Sequence, residues 1–202
     1  MIQEETRYTI GRVLRASTTG FDCGTRGTRI DDKHTLGAFV KVPVNEERTV
    51  WAIGLIYAIR IDDDPLAREL VMASGIDNNI LMDQRENRMV PVEICVINIG
   101  CVMDGYVIHN LPPRPPMSLV EVDLCYSDEI YAFTQQSDYF RLILNAKEIP
   151  SDELLVAALR YAQAAYPAEE REAFLIRSGQ HLVRLLSHDL RRLQHVLMLI
   201  HP

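Results

Sequence analysis

The chain has 202 residues, 48% of them hydrophobic and 24% charged, and its 28 acidic and 21 basic side chains give a net charge of −7. This composition excludes a disordered tail, a collagen-like repeat and a disulfide-stapled miniature protein, and the length allows one domain with an appendage or two small domains. Because residues 151–202 contain six acidic and six basic side chains, the excess negative charge belongs to residues 1–150, and any basic surface for phosphate is expected near the C-terminus.

The N-terminal third is rich in residues typical of strands. Tyr8–Ala16 is predicted as a strand, and the polar, glycine-bearing residues 18–35 are predicted as a loop. Leu36–Val44 and Trp51–Ile61 also have strand patterns, and the short polar segment that starts at Asn45 predicts a hairpin between them.

The middle of the chain adds a helix, a buried strand and a proline-rich crossing. Pro65–Ser74 is predicted as a short helix, because Asp64 suits its cap and Gly75 suits its end. Val90–Gly100 is an almost continuous apolar run, typical of a strand buried on both sides or lying in a barrel wall. Prolines then exclude a helix or central strand and predict an extended linker, which contains Pro112, Pro113, Arg114, Pro115 and Pro116.

The pattern changes from strands to helices towards the C-terminus. Leu119–Leu124 and Phe140–Leu144 are predicted as short strands, and Ser127–Gln135 as a short capped helix. After Pro150 we predict a helix over Leu154–Ala165 and a longer one from Pro167 to about Ile200, with domains at residues 1–146 and 147–202.

Motifs for catalysis or metal binding are absent from the sequence. No P-loop, dinucleotide-binding fingerprint, zinc-protease motif or nucleophile elbow is present, and Cys23, Cys95, Cys101 and Cys125 lack metal-ligand spacing. His34 lies in a loop beside Asp31 and Asp32, which permits an acid–base pair, but no nucleophile accompanies it and a structural role is favoured. We therefore expect no cofactor and no metal site. No apolar run is long enough to span a membrane, and the N-terminus is not a secretory signal, so a reduced, cytoplasmic protein is expected.

A stripe of arginines and histidines is the most specific pattern in the chain. Its members recur at steps of three or four residues, which places them on one face of the predicted last helix with Arg192 beside them. The stripe consists of Arg177, His181, Arg184, His188, Arg191 and His195. It suits a solvated helix face, or a docking face for an acidic partner or for phosphate. The opposing face carries an apolar row that must be buried and includes Leu182, Leu186 and Leu193, and these heptad-like leucines also permit helix pairing between subunits. Pro112–Pro116 is a second candidate contact, because exposed prolines bind aromatic grooves.

Several segments resemble one known family. YTIGRVLRASTTGFD, LGAFVKVPV and WAIGLIYAIR resemble the N-terminal barrel of HerA-type DNA translocases. VPVEICVINIG resembles the strand that closes that barrel, and LPPRPPMSLVEVDLCYSDEIYAFTQ resembles its proline-rich crossing and following helix. This HAS barrel also forms the N-terminal domains of the F-type ATP synthase α and β subunits. The resemblance covers about residues 6–145.

The resemblance implies the fold and role of the barrel without the activity of the translocase. In the family a RecA-like ATPase follows the barrel, whereas about fifty helical residues follow it here and no Walker motif is present. We expect an α+β fold, with a small HAS-type barrel followed by a C-terminal helical hairpin. The expected function is non-catalytic assembly: self-association, or docking of a ring ATPase or nuclease in DNA processing. The alternatives are weak phosphate binding by the stripe and a small hydrolase with a site between subunits.

Overall fold

Six antiparallel strands close into a barrel in the computed structural model, which describes residues 8–27, 30–61, 72, 91–147 and 149–200. The strands are β1 (Thr9–Ala16), β2 (Gly20–Arg26), β3 (Phe39–Pro43), β4 (Val50–Ile61), β5 (Pro91–Met103), β6 (Tyr106–Ile108) and β7 (Glu121–Leu124). The sheet order is β2-β1-β7-β3-β4-β5-β6, and β2 also pairs with β5, so β6 lies outside the closed ring.

Helices follow the strands, which confirms the α+β class. They are α1 (Ser127–Phe133), α2 (Phe140–Leu144), α3 (Ser151–Gln163), α4 (Arg171–Leu185) and α5 (Leu190–Ile200). None of the helices in the described ranges is both long and apolar enough to cross a membrane. The predicted helix Pro65–Ser74 lies outside the described residues, apart from Met72.

The predicted hairpin and the predicted wall strand are confirmed. Strands β3 and β4 pair antiparallel, with Val40 opposite Gly54 and Pro43 opposite Trp51. Strand β5 pairs with β4, β2 and β6, and it extends to Met103, beyond the predicted end. Residues 110–117 contain neither helix nor strand, as the prolines require.

The predicted loop over residues 18–35 is wrong in its first half, because β2 occupies Gly20–Arg26. Phe21 and Cys23 are buried inside the barrel and alternate with the half-buried Asp22. This period of two is the strand signal, and glycines and threonines around it hide it in the sequence. The strand is essential to closure, since its pairing with β5 completes the ring.

The predicted strand Phe140–Leu144 is also wrong, since these residues form α2. Phe140 and Ile143 are fully buried and lie three positions apart. That spacing places both side chains on one helical face, whereas in a strand they would point to opposite faces. In a segment of five residues the two patterns cannot be separated by periodicity.

The barrel is buried on both of its faces along β3. Val40 and Val42 point into the barrel and pack with Ile56 and Val96. Phe39 points the other way and joins a second core, shared with the helices. Residues of this shared core include Ile53, Leu55, Ile99, Leu155, Leu159 and Phe174. The helices therefore cover the outer face of the barrel around β3, β4 and β5.

At four glycines the backbone lies very close to a neighbouring segment. An added Cβ would lie less than 3.0 Å from a neighbouring atom at each of Gly11, Gly37, Gly54 and Gly100. Gly11 lies against β2, and Gly54 lies against β5. Gly100 lies against β6 and the Phe133 ring, and Gly37, just before β3, lies against α3.

The four cysteines are buried and none forms a disulfide. Burial raises the pKa of Cys23 from 9.0 to about 12, because the thiolate would lose its hydration inside the barrel. The unfolded thiol ionises near pH 9.0, so the contribution of Cys23 to stability is complete below that pH and is lost as the pH rises to about 12.

We therefore expect the free energy of unfolding to fall above pH 9.0, by about 1.4 kcal/mol per pH unit for this thiol. Replacing Cys23→Ala removes the titrating group and should flatten the slope by that amount, whatever it does to stability at neutral pH. Urea unfolding of both proteins at several alkaline pH values measures the difference in slope. Equal slopes would show that Cys23 ionises as readily when folded as when unfolded.

Candidate functional site

The arginine and histidine stripe is divided between two helices, so the prediction of one helix from Pro167 to Ile200 is wrong. Arg177, His181 and Arg184 lie on α4, and Arg191, Arg192 and His195 lie on α5, with His188 in the turn between them. The break has a local cause. Asp189 accepts a hydrogen bond from the backbone N–H of Arg192 at 3.0 Å and so caps the start of α5.

The side chain of Arg192 is engaged by other residues of the protein and is not available to a partner. Its guanidinium lies 2.7 Å from Asp152 and donates to the Ser151 hydroxyl at 2.8 Å. The hydrogen bond to Asp152 raises the pKa of Arg192 above its ordinary value. The side chain therefore ties the start of α5 to the start of α3.

His181 is also partly used inside the structure. It is half-buried, and its ring packs edge-on against Phe140 at a centroid distance of 5.6 Å. This contact joins α4 to α2, so His181 supports the fold beside whatever it offers to a partner.

The remaining stripe residues are exposed, and apolar side chains accompany them. Arg177, Arg184, His188, Arg191 and His195 are all exposed. Among the described residues, no carboxylate forms an ion pair with Arg184 or Arg191. Ile176 is 51% exposed, Val183 48% and Leu190 69%. We call one set the α4–α5 surface: Ile176, Arg177, Val183, Arg184, Leu190 and Arg191.

Sequence reasoning located the arginines of this surface but missed its apolar part. The leucines expected to be buried opposite the stripe are indeed inside, as Leu182, Leu186 and Leu193 show. Ile176 and Val183 were the available signal, because they fall outside that leucine face by helical spacing.

The proline-rich segment is only partly accessible. Pro112 and Pro116 are buried, whereas Pro113, Arg114 and Pro115 are exposed. Two of the four prolines therefore pack against the protein. The segment connects β6 to β7 and contributes to the fold, and only its centre is available to a partner.

A cleft that the sequence did not indicate lies between α1 and strands β3 to β6. Its volume is about 540 Å³, within the range of binding pockets. The floor and walls are mainly apolar and include Phe39, Trp51, Ile53, Val102, Val107 and Phe133. Three acidic and two basic side chains also line the cleft, so the charge of its lining is negative. They are Asp104, Asp128, Glu129, Lys41 and Arg48.

Lys41 closes one part of this cleft. Its ammonium group donates to Glu129 at 2.5 Å and lies 4.3 Å from the centre of the Tyr126 ring. The other oxygen of Glu129 accepts the backbone N–H of Tyr126 at 2.8 Å. The Lys41–Glu129 pair is thus held between β3 and the start of α1. Asp104 and Asp128 are the exposed acidic residues of the cleft, and their charge is opposite to that of the arginine and histidine stripe.

One cluster has ligand atoms near enough to hold a metal. Atoms of Asp22, Glu93 and Cys95 lie within 4.8 Å of one another. The Arg15 guanidinium already binds both carboxylates, each at 2.5 Å. An arginine in this position neutralises the carboxylates and repels a cation, so the cluster is better described as an ion-pair network.

Of the two aspartates beside it, His34 pairs with Asp31, and the contact holds the loop in place. His34 is buried, and its Nδ1 lies 3.0 Å from Asp31, which also accepts a hydrogen bond from the Tyr8 hydroxyl. Burial and this bond raise the pKa of Tyr8 to about 12, and the bond lowers the pKa of Asp31 to about 2. The three side chains tie the loop to the start of β1.

No protein-family model and no curated protein matches the chain. The two features on which a function can be argued are therefore the α4–α5 surface and the cleft.

Proposed function

We propose that the chain is a non-catalytic assembly module that binds protein through the α4–α5 surface. The observation that carries this proposal is the exposure of Ile176 and Val183 beside Arg184 on a single helix. Protein interfaces combine apolar contacts with arginine, whereas a purely solvated helix face carries polar residues on its most exposed line. An acidic protein surface is the complementary partner.

The sequence supports a kind of partner and a cellular compartment for this function. The resemblance to the HAS barrel supports a role in assembling or docking a ring ATPase or nuclease that processes DNA. The four buried, unpaired cysteines support a reducing compartment, which is the cytoplasm in this proposal.

The apolar residues favour protein over nucleic acid as the partner. A phosphate backbone offers hydrogen-bond acceptors and charge but no apolar surface to cover Ile176 and Val183. Arg192 is paired with Asp152, so it does not add to the positive charge that the stripe could offer to phosphates. Binding to duplex DNA would fall steeply with salt concentration, whereas an interface with apolar contacts persists at high salt.

The test is the mass in solution of the wild type and of the double variant Arg184→Glu and Arg191→Glu. Light scattering over a wide range of concentration should give the wild type a mass above the 23.0 kDa of one chain, at low and at moderate salt. The double variant should remain a monomer, because both changes reverse exposed charges on the surface.

Arg26→Glu is the matched control, since it makes the same change at an exposed arginine at the end of β2, outside the α4–α5 surface and outside the proline-rich segment. It should assemble as the wild type does. A wild type that stays monomeric at every concentration would contradict self-association and leave only docking of a different protein. A double variant that assembles normally would show that the α4–α5 surface is not the contact.

A further inference from the structure

The outer face of α4 has the form of a helix that docks in a groove. Ile176, Gln180 and Val183 are spaced by four and three residues, so they form one line along the helix, and all three are exposed. Arg184 borders this line next to Val183. Buried residues such as Phe174, Ser178 and Leu182 occupy the opposite side and fix which face points outwards.

The cleft presents a surface of matching chemistry. Trp51 on β4 stands opposite Val102 on β5, and Val102 stands opposite Val107 on β6, so the three side chains form a row on one face of the sheet. Helix α1 forms the facing wall with Ile130 and Phe133. An apolar floor between a sheet and a helix is the kind of groove that receives the apolar line of another helix.

The charges around the cleft are opposite to those beside the α4 line. Asp104 and Asp128 are exposed at the cleft, and neither forms an ion pair with another described residue. Lys41 is paired with Glu129, which leaves Arg48 as the only other cation in the lining. The groove therefore attracts an apolar helix that carries a positive charge.

Symmetric pairing of two α4 faces satisfies these charges poorly. In an isologous contact the same surface meets itself, which brings the cationic side of one α4 towards the cationic side of the other. Like charges at an interface oppose binding, whereas the acidic residues of the cleft supply the missing complement. The two surfaces share no residue, so each chain can use both at once.

We propose that α4 of one copy docks in the cleft of a second copy, with Val183 and Ile176 on the apolar floor and Arg184 near Asp128. This inference rests on the proposed assembly function and names its partner as another copy of the same chain. The contact is heterologous, because different surfaces meet, and repetition of it generates a ring when the rotation closes.

Trp51 provides a direct measurement, since it is the only tryptophan of the chain and it lines the cleft. Docking should shield its indole, so acrylamide quenching should decrease as the concentration rises, with the same midpoint as the increase in mass. Val183→Glu should weaken association about tenfold or more, because it places a charge in the apolar contact.

Charge exchange identifies the receiving surface. Arg184→Glu alone and Asp128→Lys alone should each weaken association, and the double variant Arg184→Glu with Asp128→Lys should recover it. Glu153→Lys is the control for the second change, since Glu153 is also an exposed acid in the first turn of a helix, α3, and lies outside the cleft. Circular dichroism confirms that each variant is folded.

The outcomes separate the two proposals. If the wild type assembles while Trp51 quenching is unchanged, or if the double variant is no better than the singles, the cleft is not the partner and the inference is wrong. The assembly function would stand in that case. If the wild type never assembles, self-association is contradicted, and the inference, which depends on it, is wrong as well.

Discussion

Replacing Gly37→Ala should destabilise the protein by about 2 to 5 kcal/mol, the sum of backbone strain and overpacking. Gly37 has a φ of +81°, a conformation that L side chains rarely adopt. An added Cβ would also lie 2.6 Å from the backbone of Ala157 and Ala158 in α3. Backbone atoms of a packed helix cannot move aside as a flexible side chain can, so α3 would have to shift from the barrel.

Gly105→Ala separates the two causes. Gly105 has nearly the same φ, +83°, but an added Cβ there would have no atom within 4 Å. This variant should show the backbone cost alone, about 1 to 2 kcal/mol. Chemical denaturation of the wild type and both variants gives the difference. Equal losses would mean that α3 does not approach Gly37 as closely as the structure shows.

The barrel could be predicted because its strands alternate clearly. The segments that became β1, β3, β4 and β5 have long apolar or alternating patterns, which the sequence displays directly. Strand β2 escaped prediction because glycine, threonine and aspartate surround the two inward-facing residues, Phe21 and Cys23. A strand of this composition is fixed by its partners, β1 directly before it and β5, which lies far from it in the chain.

Only the part of the candidate site that lies within one short stretch of sequence could be predicted. Arg177, Arg184 and Arg191 follow a spacing that any helix would display, so the sequence indicated them although the helix is broken. The cleft could not be found this way. Its lining comes from β3, β4, β5, β6 and α1, and only folding brings these segments together. Asp189 was the one local signal of the break, because aspartate favours helix caps over helix interiors.

The barrel and the helices share one hydrophobic core, so each should contribute to the stability of the other. Phe39 is fully buried on β3, and its ring centre lies 6.3 Å from that of Phe133 on α1 and 6.2 Å from that of Tyr161 on α3. Residues from both predicted domains, 1–146 and 147–202, thus stabilise each other at this point. A chain cut between them would expose the apolar outer face of β3, β4 and β5.

Phe39→Ala should therefore destabilise barrel and helices together, by about 3 to 5 kcal/mol, the usual loss for a buried phenylalanine. Trp51 fluorescence reports the barrel, and far-ultraviolet circular dichroism is dominated by the helices. Since the core is continuous, both signals should change at the same denaturant concentration in the wild type and shift equally in the variant.

Phe21→Ala is the matched comparison, because Phe21 is buried inside the barrel and belongs to the other core. If the whole chain unfolds as one unit, this variant should also lower both transitions equally, although Phe21 belongs to the barrel core and not to the shared core. A barrel transition that moves while the helical transition stays in place would show instead that the two parts unfold independently. That result would favour the two-domain division and would mean that the contacts of Phe39 with Phe133 and Tyr161 contribute little energetic coupling.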